Sequence, residues 1–183
     1  MALLAEEIVE EWLNRMGYFT IRGVKLGVHE IDLLAVGREG GELKLRHIEV
    51  QASVRPIGYV CPLPKSLQKS LGRRPHSVNR LNDHELRACV DAWVEKKFRL
   101  DRKHQLRQRL FAGQWQFELV VHNVKHENEL EEIEARGIRV LRLREIVDDM
   151  SRGDAPVDGA SGSDLIELMR LRDGVARHRL PRS

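Results

Sequence analysis

Hydrophobic positions near the start of the chain change from helical spacing to the spacing of β-strands. Apolar side chains recur at helical intervals over residues 3–16, and Gly17 supplies a stop signal, so an amphipathic helix is predicted there. A polar, glycine-rich segment at 37–42 predicts a hairpin loop. Runs rich in apolar and β-branched residues around that loop predict a meander of three strands, over 18–24, 30–36 and 42–53.

The rest of the chain alternates helical and strand patterns. Residues 83–110 carry the longest helical pattern, and the proline-rich stretch 54–82 before it predicts a long loop that is either functional or mobile. Further patterns predict strands over 114–124 and 138–143 and helices over 128–137 and 144–150. This order of elements indicates an α/β fold with a mixed central sheet flanked by helices.

The chain of 183 residues has the length of one domain with an appendage. Residues 1–150 form the expected core domain, and 151–163 have the composition of a linker. Residues 164–183 predict a short amphipathic helix followed by a basic tail. The apolar face of that helix is expected to pack on the core or on a second subunit.

Composition excludes several classes of protein. Aromatic residues make up only 5% of the chain, which argues against a nucleic-acid binder built on rows of stacking rings. No apolar run approaches the ~18 residues that a membrane-spanning helix needs. Two cysteines, Cys61 and Cys89, are too few for a disulfide framework or a cysteine zinc site, so a reducing cytoplasm is the expected location.

Positive charge is concentrated in the middle of the chain. The net charge is only +3, yet residues 55–110 contain 14 Lys or Arg against 5 Asp or Glu. Such a basic region suggests a polyanionic partner, DNA in the first instance, although a solvated helix face gives the same pattern. The residues expected to contact a phosphate backbone are Arg73, Arg74, Arg80, Lys96, Lys97, Arg102 and Lys103.

Two carboxylates lie where a sheet normally excludes charge. Asp32 interrupts an apolar strand, and Glu49 interrupts the next strand along the chain. Because a short loop joins these strands, they should pair antiparallel and bring the two acids together. Carboxylates that converge in a partly buried site raise one another's pKa unless a cation lies between them, and hard oxygen ligands suit Mg²⁺ or Mn²⁺. The alternative is that each acid lies at an edge or on a solvated face.

Glu6 is the candidate for a third acid at this site. Glu6 lies on the same side of the first helix as the apolar residues Val9 and Leu13, which follow it by three and seven residues. Three neighbouring acids, Glu7, Glu10 and Glu11, compete with it, and any of the four can be a plain surface residue.

The stretch from Glu6 to Gln51 resembles the PD-(D/E)XK nuclease superfamily, particularly its Holliday-junction-resolvase-like and Mrr-like branches. The resemblance is carried by Glu6, Met16-Gly17-Tyr18, Glu30-Ile31-Asp32-Leu33-Leu34 and Ile48-Glu49-Val50-Gln51. The order of elements is similar to that superfamily's restriction-endonuclease-like αβββαβ core, with Gly137-Ile138-Arg139-Val140-Leu141 as a closing strand.

The resemblance implies a Mg²⁺- or Mn²⁺-dependent deoxyribonuclease that hydrolyses phosphodiester bonds in restriction, repair or recombination. Asp32 and Glu49 would bind the ion together with the backbone carbonyl of Val50, and Glu6 would assist directly or through water. A homodimer is expected for cutting both strands, because that needs two sites.

Gln51 departs from the family pattern, in which lysine occupies this position. Glutamine is neutral and cannot act as a general base, so it can only position water or phosphate by hydrogen bonds. Lys96 and Lys97 are the candidates for a displaced lysine. His29 is a second departure, because the family members most similar to this chain have glycine there.

Three hypotheses about function follow. The first is the metal-dependent nuclease, with Glu6, Asp32, Glu49 and Gln51 as catalytic residues. The second is a nucleic-acid-binding module that keeps the fold and has lost turnover. The third is a protein–protein adaptor with no affinity for nucleic acid.

Overall fold

The fold is built on one five-stranded sheet in the order β1-β2-β3-β4-β5. This computed structural model describes residues 2–76, 79–152 and 156–157. The helix and tail expected over 164–183, and most of the linker expected over 151–163, lie outside the described residues. The helices are α1 (Ala2–Arg15), α2 (Lys65–Leu71), α3 (Asp83–Val94), α4 (Asp101–Leu110), α5 (Glu127–Glu134) and α6 (Leu143–Arg152). The strands are β1 (Phe19–Leu26), β2 (His29–Glu39), β3 (Glu42–Gln51), β4 (Trp115–Val121) and β5 (Ile138–Arg142).

The sheet is mixed, as the sequence predicts. β1, β2 and β3 pair antiparallel, whereas β4 and β5 run parallel to β3. The predicted loop over 37–42 is wrong in length, because the strands continue to Glu39 and resume at Glu42. Only Gly40 and Gly41 remain in the turn, and both have positive φ, as tight hairpin turns require.

Helices cover both faces of the sheet. Successive residues of β4 alternate between two hydrophobic clusters: Leu119 packs with α3 and α5, and Val120 packs with α1 and α6. The α/β fold with a mixed sheet flanked by helices is therefore confirmed. β3 lies in the middle of the sheet and is buried from Leu45 to Val50, so its charged residues must find partners inside the protein.

The prediction of one continuous helix over 83–110 is wrong. A capping box begins α3: Asn82 Oδ1 accepts the Glu85 N–H at 2.9 Å, and Glu85 Oε2 accepts the Asn82 N–H at 3.0 Å. A π-helical turn follows over Glu95–Arg99, and Leu100 then adopts an extended conformation (φ −50°, ψ 133°) before α4 begins. The sequence hides this break because neither Gly nor Pro occurs in it.

The stretch 54–82, predicted as a loop, contains α2 and is tied to the rest of the fold. The fully buried carboxylate of Glu129 on α5 accepts the backbone N–H groups of Val60 and Cys61, each at 2.8 Å. The hydroxyl of Tyr59 accepts the N–H of Leu81 at 3.0 Å. These bonds hold one wall of a cleft that is described below. No helix in the described parts of the chain is long and apolar enough to cross a membrane.

Candidate active site

Asp32 and Glu49 lie side by side on two neighbouring strands, next to the point where the pairing of β2 with β3 ends. The β2–β3 register pairs Leu33 with Ile48, and these two acids are the next residues along. Asp32 Oδ2 accepts the N–H of Val50 at 2.8 Å. Burial, together with the charge of Glu49, raises the pKa of Asp32 to about 6, against the lowering effects of Lys97 and the Val50 N–H. The structure thus brings together the two acids that the sequence singles out.

Glu49 is fully buried and has three polar partners. Its Oε1 atom accepts from Lys103 Nζ at 2.9 Å and lies 3.1 Å from His47 Nε2, while its Oε2 atom accepts from Lys97 Nζ at 2.5 Å. A carboxylate without exposure to water needs such partners to stay ionised. Lys97 precedes the helix break at Leu100 and Lys103 follows it, so the segments on both sides of the break contribute to the site.

His47 and Arg107 fix the orientation of the Glu49 side chain. Arg107 Nη1 lies 2.8 Å from His47 Nδ1, and because a guanidinium can only donate, Nδ1 must be the acceptor. The ring hydrogen of His47 is then on Nε2 and is donated to Glu49. Burial and the charges of Arg107 and Lys103 hold the pKa of His47 well below its ordinary value, so the ring is neutral. The relay Arg107–His47–Glu49 therefore leaves Oε2 as the oxygen that faces Lys97.

Of the two lysines that contact Glu49, Lys97 is the one that remains partly accessible. Its side chain is 23% exposed, whereas that of Lys103 is 1% exposed. Burial lowers the pKa of Lys97, but the charges of Glu49 and Asp32 outweigh this effect and raise it, so the ammonium form persists. Phe98, which is fully buried against His47 and Phe117, anchors the π-helical turn that carries Lys97.

Glu6 lies within electrostatic reach of Asp32. Its pKa is raised by burial and by the charges of Asp32 and Glu30. The competing acids are engaged elsewhere: Glu7 and Glu10 pair with Arg22, and Glu11 pairs with Arg15. In the described part of the chain, no three His, Cys, Asp or Glu side chains are arranged as one metal-binding group. Both roles expected for Glu6, direct ligation and assistance through water, stay predictions.

The donor atoms at the pair suit a hard divalent cation. Two carboxylates converge there, and burial together with the charge of Glu49 raises the pKa of Asp32, effects that a bound cation would offset. Because the Val50 N–H points to Asp32, the carbonyl of Val50 faces the same strand neighbour. Asp32, Glu49 and Val50 would therefore hold Mg²⁺ or Mn²⁺ through oxygen, after Lys97 has released Glu49 Oε2.

A cleft of about 560 Å³ opens beside this pair. Gln51, which is half-buried at the end of β3, lies on its wall together with Lys96 and Lys97. Of the two candidates for a displaced lysine, Lys97 contacts Glu49, whereas Lys96 is exposed on the rim of the cleft.

The basic residues predicted to contact a phosphate backbone differ in how far they are exposed. Arg74, Arg80, Lys96 and Arg102 are exposed, and Arg73 is half-buried with its guanidinium 3.8 Å from Glu85. The prediction for Lys103 needs correction. Its ammonium group is buried between Glu49 and the backbone oxygen of Lys97, so it cannot reach a backbone outside the protein.

His47, Arg107 and the true position of Lys103 are the parts of the site that sequence reasoning missed. One signal for His47 was present, because alternation along β3 places residues 47, 49 and 51 on the same side of the strand. No local signal marks Arg107 or Lys103, since their burial depends on the break at Leu100.

Comparison with known proteins adds little to this geometry. No protein-family model matches the chain, and no curated protein matches it significantly. It is similar to a solved structure described as "Crystal Structure of Protein of Unknown Function AF1548", with 13% identity and a TM-score of 0.46. That match covers 82% of this chain and 67% of the other chain. A likeness at this level carries no argument about fold or chemistry.

Proposed function

We propose that this chain has a restriction-endonuclease-like core and acts as a metal-dependent deoxyribonuclease that hydrolyses phosphodiester bonds. The observation that carries the proposal is the juxtaposition of Asp32, Glu49 and Lys97 beside an open cleft. Two oxygen ligands and one cation in such an arrangement match the needs of phosphoryl chemistry, in which negative charge on the phosphate must be neutralised.

Each residue at the site has its own role around the metal. When bound, Mg²⁺ or Mn²⁺ supplies a water of lowered pKa and neutralises charge on the scissile phosphate. His47 and Lys103 hold Glu49 Oε1, so that Oε2 is available as a ligand. Lys97, once displaced from Glu49, donates its hydrogen bonds to a phosphate oxygen or to the attacking water. Gln51 orients the same groups by neutral hydrogen bonds.

A second function is favoured by a specific observation. Glu49 already has two lysine partners and Gln51 is uncharged, an arrangement that can persist without any metal. A nucleic-acid-binding module without turnover would use the exposed residues Arg74, Arg80, Lys96 and Arg102 and leave the carboxylate pair as a structural ion cluster.

Supercoiled plasmid and circular single-stranded DNA, each incubated with Mg²⁺ or Mn²⁺, separate these functions. The nuclease proposal predicts nicking by the wild-type protein, none by Asp32→Asn, and wild-type nicking by the control Asp148→Asn, which changes an exposed acid on α6. Salt-sensitive binding without nicking under either ion would establish the binding module. Failure to bind DNA at low salt would exclude both and leave the adaptor hypothesis.

A further inference from the structure

The cleft beside the carboxylate pair has a charge that suits one kind of ligand. It lies between the end of β3, the segment that leads into α2, and the junction of α3 with the π-helical turn. Among the described residues, those lining it include three lysines, Lys65, Lys96 and Lys97, and no carboxylate. A cleft with such lining attracts an anion.

One side of the same cleft is apolar. Leu63 and Trp93 are buried core residues that line this side of the cleft, and prolines extend the apolar surface. Gln51 and Gln68 add amide groups, which can both donate and accept hydrogen bonds. An apolar wall, amides and a cationic rim together match a nucleotide, which has an aromatic base, polar base edges and a phosphate.

The size of the cleft decides which nucleic acid can use it. A volume of about 560 Å³ lies within the range of roughly 300–1,000 Å³ typical of sites for small molecules. A base that is paired and stacked in a duplex cannot enter a pocket of this kind; it must first leave the stack. One unpaired nucleotide fits the space, and its phosphate would then lie next to Lys97, which belongs to both the cleft and the carboxylate site.

We infer that this cleft holds one unpaired nucleotide, and that the substrate is DNA with a single-stranded segment, such as a flap, a gap or an overhang. This inference rests on the proposed nuclease function for the cleavage step, and the binding step stands without it. The low aromatic content of the chain is consistent with a pocket for a single base and argues against a track for many bases.

Two pairs of variants test the cleft without touching the carboxylate site. Lys65 and Lys69 are both exposed on α2, and only Lys65 lines the cleft, so Lys65→Gln and Lys69→Gln remove the same charge in different places. Ala92 is exposed on α3 and lines the cleft, so Ala92→Phe fills it. His84→Phe adds a similar ring at an exposed position of the same helix outside the cleft.

The experiment measures the affinity of a labelled single-stranded oligonucleotide and of a blunt-ended, fully paired duplex of the same length, by fluorescence anisotropy in metal-free buffer. The wild-type protein should bind the single strand about tenfold more tightly, near the low end of what one bound base contributes. Ala92→Phe and Lys65→Gln should each remove most of this preference, while His84→Phe and Lys69→Gln keep it. Equal affinity for both DNAs, or a preference that both cleft variants retain, would overturn the inference.

The same proteins, assayed for cleavage with Mn²⁺, distinguish this failure from failure of the proposed function. Strand preference without cleavage would reject the nuclease and keep the cleft as a binding site. Cleavage that is equally fast on both DNAs and unchanged by Ala92→Phe would keep the nuclease and reject the cleft. Lys65→Gln alters an exposed side chain, so it decides the question even if Ala92→Phe does not fold.

Discussion

Lys97 Nζ donates a hydrogen bond of 2.5 Å to Glu49 Oε2, which joins the π-helical turn to the central strand of the sheet. Lys103 holds the other oxygen of the same carboxylate from a fully buried position. The two lysines thus differ in access to water. Lys97 can exchange its partner, whereas Lys103 stabilises the fold.

Replacing Lys97 should affect cleavage more than stability. Lys97→Met removes the donor nearest to the site of the scissile phosphate, and we expect cleavage to fall about 10²–10³-fold. Because Glu49 keeps Lys103 and His47, the free energy of unfolding should fall much less than for loss of a fully buried partner. Initial rates of plasmid nicking and urea unfolding measure the two effects. Lys125→Met, at an exposed position, should change neither.

Replacing Lys103 should affect stability first. Lys103→Met leaves a buried carboxylate short of one cation, and the free energy of unfolding should fall by up to about 3–5 kcal/mol. Adding Glu49→Gln to Lys103→Met removes the uncompensated charge, so the double variant should be more stable than Lys103→Met alone. Urea unfolding of the wild-type protein, the two single variants and the double variant gives the coupling. Additive losses would show that the two side chains do not stabilise each other.

The parts of this fold with strong periodicity could be predicted from sequence. Apolar spacing is enough to locate α1, and the short glycine-rich turn is enough to pair the strand of Asp32 with that of Glu49. The helix break at Leu100 could not be predicted, because a leucine in extended conformation between two helical segments carries no local signal. Its effect is tertiary: it turns α4 so that Lys103 and Arg107 face the sheet. Charge patterning alone therefore assigned Lys103 to the surface.

The stability that Glu129 contributes, by holding the backbone at the wall of the cleft, should depend on pH. Burial raises the pKa of this carboxyl, so above its ordinary value of 4.5 the folded protein holds a proton that the unfolded chain has released. Its contribution to stability is therefore lost as the pH rises through the raised pKa. Relative to Glu129→Gln, the wild-type protein should be more stable at about pH 5 than at about pH 8, as measured by urea unfolding.

Glu132 on the same helix is the matched control with the opposite sign. Hydrogen bonds from Arg87 and Arg136 lower its pKa, so its contribution is present above the ordinary value of 4.5 and is lost as the pH falls through the lowered pKa. The advantage of the wild-type protein over Glu132→Gln should therefore shrink in acid. If Glu129→Gln and Glu132→Gln showed the same pH trend, the buried anchor of Glu129 would be refuted.

The central claim is that Asp32 and Glu49 share one divalent ion. The most direct measurement is a crystal structure of the full chain grown with Mn²⁺ and phased to locate the ion by its anomalous scattering. We expect a peak within ligand distance of both carboxylates and the Val50 carbonyl, with Lys97 Nζ displaced from Glu49 Oε2. No peak at saturating Mn²⁺, with Lys97 still bonded to Glu49, would contradict the account.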